Sequence, residues 1–351
     1  MPDVNMSKIK KLYQEKKYSE IVLEIEKFKT EKNISSTLHN LLGVCYASQK
    51  GRTEDDIKSA LENFEKAFYK DNLGEVSLES LCNHIKLCAE MGRKENTLIS
   101  NLIISEEMYI EAEKKFSNNQ RYLAHGIDLY KYLLKHKKRI LIIEKILKLK
   151  KLDKLFGSLY ITSQMYLSDW KQKNFSVFQK KFTNSFNIFN SKKLTNLNLD
   201  KNKIKIGFLS PNFHKSHSIS YFIKNLIKDL KKTRFETFAL SLLKTNQHDE
   251  TTEELKELFD YWIDLGDTSD QEIVNKIQNS NIDILIDLAG LWSANRANIF
   301  NTRMCPLQIN WLGFNNASGF KEMDFLLADT NTTQDEEKDY VTKIYKLPKI
   351  W

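Results

Sequence analysis

Three short stretches of this 351-residue chain carry side chains whose types and spacing suit chemistry. The first is Ser210-Pro211-Asn212-Phe213-His214-Lys215-Ser216-His217-Ser218. Two histidines three apart, with no third or fourth ligand placed beside them, make no metal site, so no metal is expected. A single imidazole titrates near neutral pH and suits a general base; the other reading of His217 is a loop histidine that caps a helix or does nothing. The second stretch runs from Asp283-Ile284-Leu285-Ile286-Asp287-Leu288-Ala289-Gly290 to Arg296. A carboxylate closing a buried apolar run is strongly unfavourable unless it is paired or hydrogen-bonded. Asp287 therefore predicts either a structural partner or a substrate contact, whereas Asp283, where the run starts, is expected in solvent. Arg296 suits a bound carboxylate or phosphate, or a pair with Asp287. The third stretch is Gln308-Ile309-Asn310-Trp311-Leu312-Gly313-Phe314-Asn315-Asn316-Ala317-Ser318-Gly319. Its two glycines, six apart, either let backbone approach a ligand closely or form an ordinary loop. The chain contains no GxGxxG, and Gly290 lacks a phosphate-loop context, which argues against a nicotinamide or flavin enzyme.

Each stretch follows an apolar run that reads as a strand. Residues 203–209 alternate and then turn wholly apolar, and further strand patterns lie at Phe235–Leu243, Tyr261–Leu265, Ile282–Leu288, Leu307–Leu312 and Met323–Leu327. Amphipathic segments at Tyr221–Leu230, Glu253–Phe259, Gln271–Gln278 and Asn295–Phe300 separate most of them. Such alternation predicts an open, mostly parallel sheet with helices on both faces. Ligands of these sheets bind outside the carboxyl ends of the strands, where the three stretches fall.

The first half has a different texture. Leu42-Gly43-x-x-Tyr46 followed by Ala60-x-x-x-Phe64-x-x-Ala67 fits the tetratricopeptide pattern, in which small and large residues interlock two antiparallel helices. Gly51-Arg52-Thr53-Glu54-Asp55 reads as a five-residue insertion in the turn between them. One repeat earlier the register predicts Ile21, Ile25 and Phe28 at core positions; one repeat later, Leu81, Cys82 and Ile85. Repeats are expected over about residues 5–110, giving a first domain at 1–120. A helical connector follows at 121–190, whose basic amphipathic run at 121–152 reads as a solvated lysine face over a packed Ile/Leu face, the other reading being a membrane-surface or partner helix. The polar, aperiodic residues 187–203 mark the boundary before an α/β lobe at 203–351.

Composition agrees with this division. There are 11 glycines and 4 prolines, against about 25 and about 18 at average usage, which excludes collagen-like and Pro-rich chains and favours long helices. The net charge of +8 divides into +10 over residues 1–200 and −2 over the remainder. That diffuse lysine excess reads as solubility, with no nucleic acid as partner. Four irregularly spaced cysteines predict buried thiols in a reducing compartment, and no apolar run is long enough for membrane insertion, so the expected location is cytoplasmic.

The strings IGFLSPNF, HKSHSISYF, DILIDLAG with Arg296 behind it, CPLQINWLGFNNASG, MDFLLAD and KIYKLP stand in order over about 150 residues after the repeats. Together they resemble the first half of the catalytic region of protein O-linked N-acetylglucosaminyltransferases. The resemblance implies tetratricopeptide-like repeats before a Rossmann-like lobe of a two-lobed GT-B transferase, with UDP-N-acetylglucosamine as donor and no further cofactor. It implies inverting transfer to Ser/Thr of an acceptor protein or peptide held by the repeats. His217 falls near the family histidine at the sugar–acceptor junction, and His217 or Asp287 would deprotonate or orient the hydroxyl. Gly290 and Arg296 match the loop after the fourth strand, and Gln308, Trp311, Gly313, Ser318 and Gly319 match the substrate-binding loop after the fifth.

Four departures from the family pattern stand out. Asn212 replaces the usual Asp, and His217 comes into register only with one residue inserted after Phe213. Leu291-Trp292 replaces His-Thr or Tyr-Thr, and Asn315-Asn316 replaces Pro-Gly, so acceptor or sugar preference is expected to differ. The resemblance also implies a second lobe holding the nucleotide and diphosphate. With Trp351 as the last residue, the expectation is a transferase fragment, or a truncated product acting with another lobe and inactive alone. The alternative is a non-catalytic helical-repeat adaptor with a vestigial α/β lobe.

Overall fold

The computed structural model describes residues 5–27, 34–91, 98–150, 153–194, 197–293, 296–314, 316–333 and 337–348. The chain forms two compact units, Met1–Leu149 and Lys150–Trp351.

The first unit is helical throughout its described residues: α1 (Met6–Gln14), α2 (Tyr18–Glu26), α3 (Ser36–Ser48), α4 (Glu54–Lys70), α5 (Glu75–Met91), α6 (Leu98–Phe116), α7 (Gln120–Tyr132) and α8 (His136–Leu149). Polar side chains start these helices by accepting orphan backbone N–H groups. Ser35 accepts from Leu38 at α3, and Thr53 forms a reciprocal capping box with Asp56 at α4. The interlock expected between α3 and α4 is present. A Cβ built on Gly43 would lie 2.5 Å from the Phe64 ring, and Leu42, Ala60, Phe64 and Ala67 are buried. Ile21 and Ile25 of α2 and Leu81, Cys82 and Ile85 of α5 are buried as the register requires, while Phe28 lies outside the described residues. Gly43→Ala forces the Phe64 ring aside and is expected to destabilise this unit by about 1 kcal/mol, read as a lowered denaturant midpoint with an unchanged slope.

The second unit starts with α9 (Lys154–Gln164) and α10 (Gln172–Thr183), so these helices, in the stretch expected as a connector, belong to the same unit as the sheet. A Cβ on Gly157 of α9 would lie 2.0 Å from the Phe182 ring of α10, a second glycine–phenylalanine interlock. The strands are β1 (Ile204–Ser210), β2 (Phe235–Ser241), β3 (Tyr261–Asp264), β4 (Ile284–Asp287), β5 (Leu307–Asn310), β6 (Phe325–Ala328) and β7 (Lys343–Lys346). They form one parallel sheet in the order β3-β2-β1-β4-β5-β6-β7. Helices α11 (Ser218–Leu230), α12 (Glu250–Leu258) and α13 (Asp270–Asn279) make the first crossovers. Between β4 and β5, where a helix was expected over Asn295–Phe300, the structure has a 3-10 turn at Ala297–Asn301, and Asn295 lies outside the described residues. Apolar cores lie on both faces, one containing Phe182, Leu209, Leu285 and Phe320, the other Phe208, Ile223, Ile286 and Leu312. Helical repeats followed by a Rossmann-like parallel-sheet lobe is thus the architecture.

Asp283 corrects one expectation. It is buried rather than solvated, with one oxygen 2.6 Å from Lys201 Nζ and the other accepting from Lys205 N at 3.0 Å. All four cysteines are buried free thiols, and burial pushes Cys45 up to about 12. Among the described residues no helix is long and apolar enough to cross a membrane, and no His/Cys/Asp/Glu group is arranged for a metal ion.

Candidate functional site

The strand order reverses at β1: β2 and β3 lie to one side and β4 onward to the other. The carboxyl ends of β1 and β4 therefore flank a topological switch point, where open α/β sheets bind their ligands.

Asp287 closes β4 and is 2 % exposed. Its Oδ1 accepts from Ala289 N at 3.0 Å, and its Oδ2 from Gly290 N at 2.9 Å and Asn310 Nδ2 at 2.8 Å. Burial raises its pKa to about 6, against the three donors that favour the anion. Of the two readings, the structural partner is the one formed. Asn310, the residue paired with Asp287 across β4 and β5, turns its Oδ1 toward Ser318 and accepts from both its N (3.2 Å) and its Oγ (2.9 Å). One buried network thus joins the loop after β4 to the loop after β5.

Backbone geometry tightens that junction. Gly313 N donates to Trp311 O at 2.9 Å across Leu312, whose φ is +69°. A γ-turn of this hand on a buried leucine carries strain of about 1–3 kcal/mol. It is held by Trp311 N donating to Asp287 O at 2.9 Å and by Gly313, where a Cβ would lie 1.7 Å from Leu288 O. Gly290 has φ +54°, and a Cβ there would meet Phe314. The Trp311 indole N–H is enclosed without a hydrogen-bond partner among the described residues.

Helix α10 fastens the same loop through side chains at 172, 179 and 183, which share one helical stripe with Ser176, whose hydroxyl accepts from Gln172 Nε2 at 2.9 Å. Gln172 and Asn316 exchange amide bonds of 2.7 and 3.3 Å, Gln179 Nε2 donates to Ala317 O, and Thr183 Oγ1 donates to Gly319 O at 2.7 Å. Gly319, at φ +82°, packs against Gln179. Sequence reading missed both Asn310 and this stripe. The available signals were a polar residue ending an apolar strand beside Asp287, and Gln-x3-Ser-x2-Gln-x3-Thr in an otherwise apolar and basic helix.

On the β1 side, His217 is the N-cap of α11. Its Nδ1 accepts from Ile219 N at 3.3 Å, and Ile219 Cδ1 lies 3.0 Å from where a Gly313 Cβ would stand. Burial, and then the neighbouring His214, lower its pKa, so the ring is neutral at pH 7. With Nδ1 accepting, the proton of the neutral ring sits on Nε2. His217 therefore presents an N–H donor, and its basic lone pair is engaged in the cap.

Two of the assigned residues stand elsewhere. Arg296 does not meet Asp287: its guanidinium lies 2.6 Å from Asp270 and donates to Gly266 O and Thr268 O, in the loop after β3. Gln308 is fully buried toward the amino end of β5, where its amide bonds Met304 N, Thr302 O and Glu322 O. A side chain so completely bonded within the fold has no group left for a substrate. Of the departures noted above, the Trp292 side chain and Asn315 lie outside the described residues.

A probable UDP-N-acetylglucosamine–peptide N-acetylglucosaminyltransferase SPINDLY of Arabidopsis thaliana is 26 % identical over 158 residues, covering 44 % of this chain and 17 % of the relative. A UDP-N-acetylglucosamine–peptide N-acetylglucosaminyltransferase of Caenorhabditis elegans is 27 % identical over 132 residues, 37 % of this chain and 11 % of its own length. The matched stretches thus span less than a fifth of these curated relatives. A Thermobaculum terrenum O-GlcNAc transferase mutant shares the fold with a TM-score of 0.63 at 17 % identity, over 90 % of this chain and 58 % of that one. The profile of glycosyl transferase family 41 matches residues 128–351, which contain every residue of the switch-point junction. The chain therefore belongs to glycosyl transferase family 41.

Proposed function

We propose that this chain contributes the acceptor-holding helices and the first catalytic lobe of a protein O-N-acetylglucosaminyltransferase. The donor is UDP-N-acetylglucosamine, and the acceptor is a Ser or Thr hydroxyl of a protein. The observation that carries the reading is the junction of Asp287, Asn310, Ser318 and Gly313. It fixes two loops at the switch point of a sheet that lies wholly inside the family match. The tetratricopeptide-like helices, residues 1–120, hold the acceptor in an intracellular, cytoplasmic setting that suits buried free thiols.

Transfer needs an electrostatic clamp on the leaving diphosphate. The described residues of the junction are neutral or bonded internally, so that clamp is assigned to a second lobe of the kind the longer relatives have room for. Within this chain the junction loops orient the sugar and hydroxyl, and His217 Nε2–H donates a hydrogen bond to an oxygen of the reacting pair. Its role is to orient rather than to deprotonate.

His217→Asn separates that role from capping, because Asn is an equally good N-cap. It is expected to leave the thermal midpoint unchanged and to lower kcat/KM for peptide glycosylation about tenfold, the worth of one hydrogen bond of about 1.4 kcal/mol. The assay is transfer of radiolabelled N-acetylglucosamine to a Ser/Thr peptide by the natural full-length protein. Undiminished transfer removes His217 from the site.

A further inference from the structure

In the helical unit, α4, α5 and α6 line a half-open cavity of about 380 Å³, in the size range of ligand pockets. One wall is a stripe of α4 carrying Glu54, Lys58, Glu62 and Glu65 at helical spacing, with Asp55 beside it. Four carboxylates thus face one ammonium, in a half of the chain that is otherwise basic. Glu62 has Lys66 at 3.7 Å, whereas Glu54, Asp55 and Glu65 make no ion pair among the described residues.

A buried histidine adds a second and independent observation. His84 of α5 is 1 % exposed and lines this cavity. Its Nδ1 lies 2.8 Å from Ser105 Oγ, and that hydroxyl donates to Asn101 O at 3.0 Å. With its own proton committed, Ser105 accepts, so the His84 proton sits on Nδ1 and Nε2 is a bare lone pair. No residue among those described partners Nε2. Desolvation holds the ring well below its ordinary pKa, at about 4, so it stays neutral. The lining therefore offers carboxylate acceptors from α4 and an imidazole acceptor from α5, and the complementary group is a cation that donates hydrogen bonds.

We propose that the α4–α5–α6 cavity binds an arginine or lysine side chain of a protein segment, its charged head between the Glu62/Glu65 carboxylates and His84 Nε2. Family membership does not enter this inference. It deepens the proposed function only by giving the chemistry of the segment held by the helical unit, and its test reads binding rather than transfer. Binding of such a segment by the chain, with no sugar transfer by the natural full-length protein, refutes the transferase reading and leaves this one standing.

The test is fluorescence anisotropy of the 351-residue chain with a labelled ten-residue Gly/Ser peptide carrying three arginines, beside the same peptide with citrulline in their place. The arginine peptide is expected to bind at least tenfold more tightly than its neutral counterpart. Glu62→Gln with Glu65→Gln, at positions on the helix surface, is expected to weaken it about tenfold and to flatten its salt dependence between 50 and 200 mM, concentrations about which exposed pairs are screened. His84→Asn keeps a donor toward Ser105 and removes the Nε2 acceptor, so it is expected to weaken the arginine peptide and leave the citrulline peptide unchanged. Equal affinity for the two peptides overturns the proposal, as does an arginine affinity unmoved by the double glutamate variant. If His84→Asn fails to fold, the glutamate variant and the citrulline peptide still decide.

Discussion

Replacing Asp287 by alanine is expected to lower the thermal midpoint of the sheet unit by about 6–12 °C. The change removes the acceptor for three buried donors, Ala289 N–H, Gly290 N–H and the Asn310 amide, and no water-facing route replaces it. Each unsatisfied buried donor costs about 1–3 kcal/mol. Partial relaxation leaves a total of about 3 kcal/mol, and in a domain of this size each kcal/mol moves the midpoint by about 2–4 °C. Freed of Asp287, Asn310 no longer holds Ser318, so sugar transfer is expected to fall with stability.

The same residue sets a pH signature. Its folded pKa, about 6, lies above the ordinary 3.8 because burial disfavours the anion. The folded chain therefore takes up a proton before the unfolded chain does as pH falls, and Asp287 favours folding increasingly from pH 6 toward 4. Rising through pH 6, that contribution is lost. Wild type should gain midpoint relative to Asp287→Asn between pH 7 and pH 5, because the amide cannot titrate. Parallel midpoints across that interval would show that Asp287 does not titrate there.

Gly313→Ala is expected to destabilise the same unit by about 3 kcal/mol, the upper end for overpacking. The new Cβ would stand 1.7 Å from Leu288 O and 2.6 Å from its carbonyl carbon, both backbone atoms of the opposing loop. A flexible side chain could rotate away; a backbone carbonyl directly after β4, in a residue whose N–H is bonded to Leu209 O, cannot. The loops must separate, and displacement of about 1 Å at a reacting centre costs about 10²-fold in rate. Ser318→Ala is the comparison, since Asn310 Oδ1 keeps the backbone N–H and loses only the hydroxyl. It is expected to cost about 1 kcal/mol and to leave most activity. Similar losses in the two variants would show that backbone proximity is not what matters at Gly313.

Particular residues show why part of this was legible in the sequence. Strands β1, β2, β4 and β5 announce themselves as apolar runs because parallel strands are buried on both faces. Strand β7, Lys343–Lys346, has no apolar run to announce it; it is the exposed edge of the sheet, and its composition reflects solvent. Gly43 opposite Phe64 could be foreseen because repeats impose a register. The partners of polar groups could not. Asp283 meets a lysine 82 positions away, Arg296 an aspartate 26 positions away, and Gln172 an asparagine 144 positions away. Such pairs are chosen by the topology of the sheet, and local spacing holds no record of them. The desolvation cost of its position marks Asp287 in the sequence, but that protein groups answer the cost depends on Asn310 and on two turn amides.

In the proposed function, the junction of the β4 and β5 loops at the switch point is a site of sugar transfer. The most direct test is transfer of radiolabelled N-acetylglucosamine from its UDP conjugate to a Ser/Thr peptide by the natural full-length protein, wild type beside Gly313→Ala and His217→Asn. Incorporation that is alkali-labile, about 10²-fold lower in Gly313→Ala and about tenfold lower in His217→Asn at unchanged folding of the latter, is the predicted result. A folded wild type that incorporates no sugar, or one whose transfer both substitutions leave untouched, contradicts it.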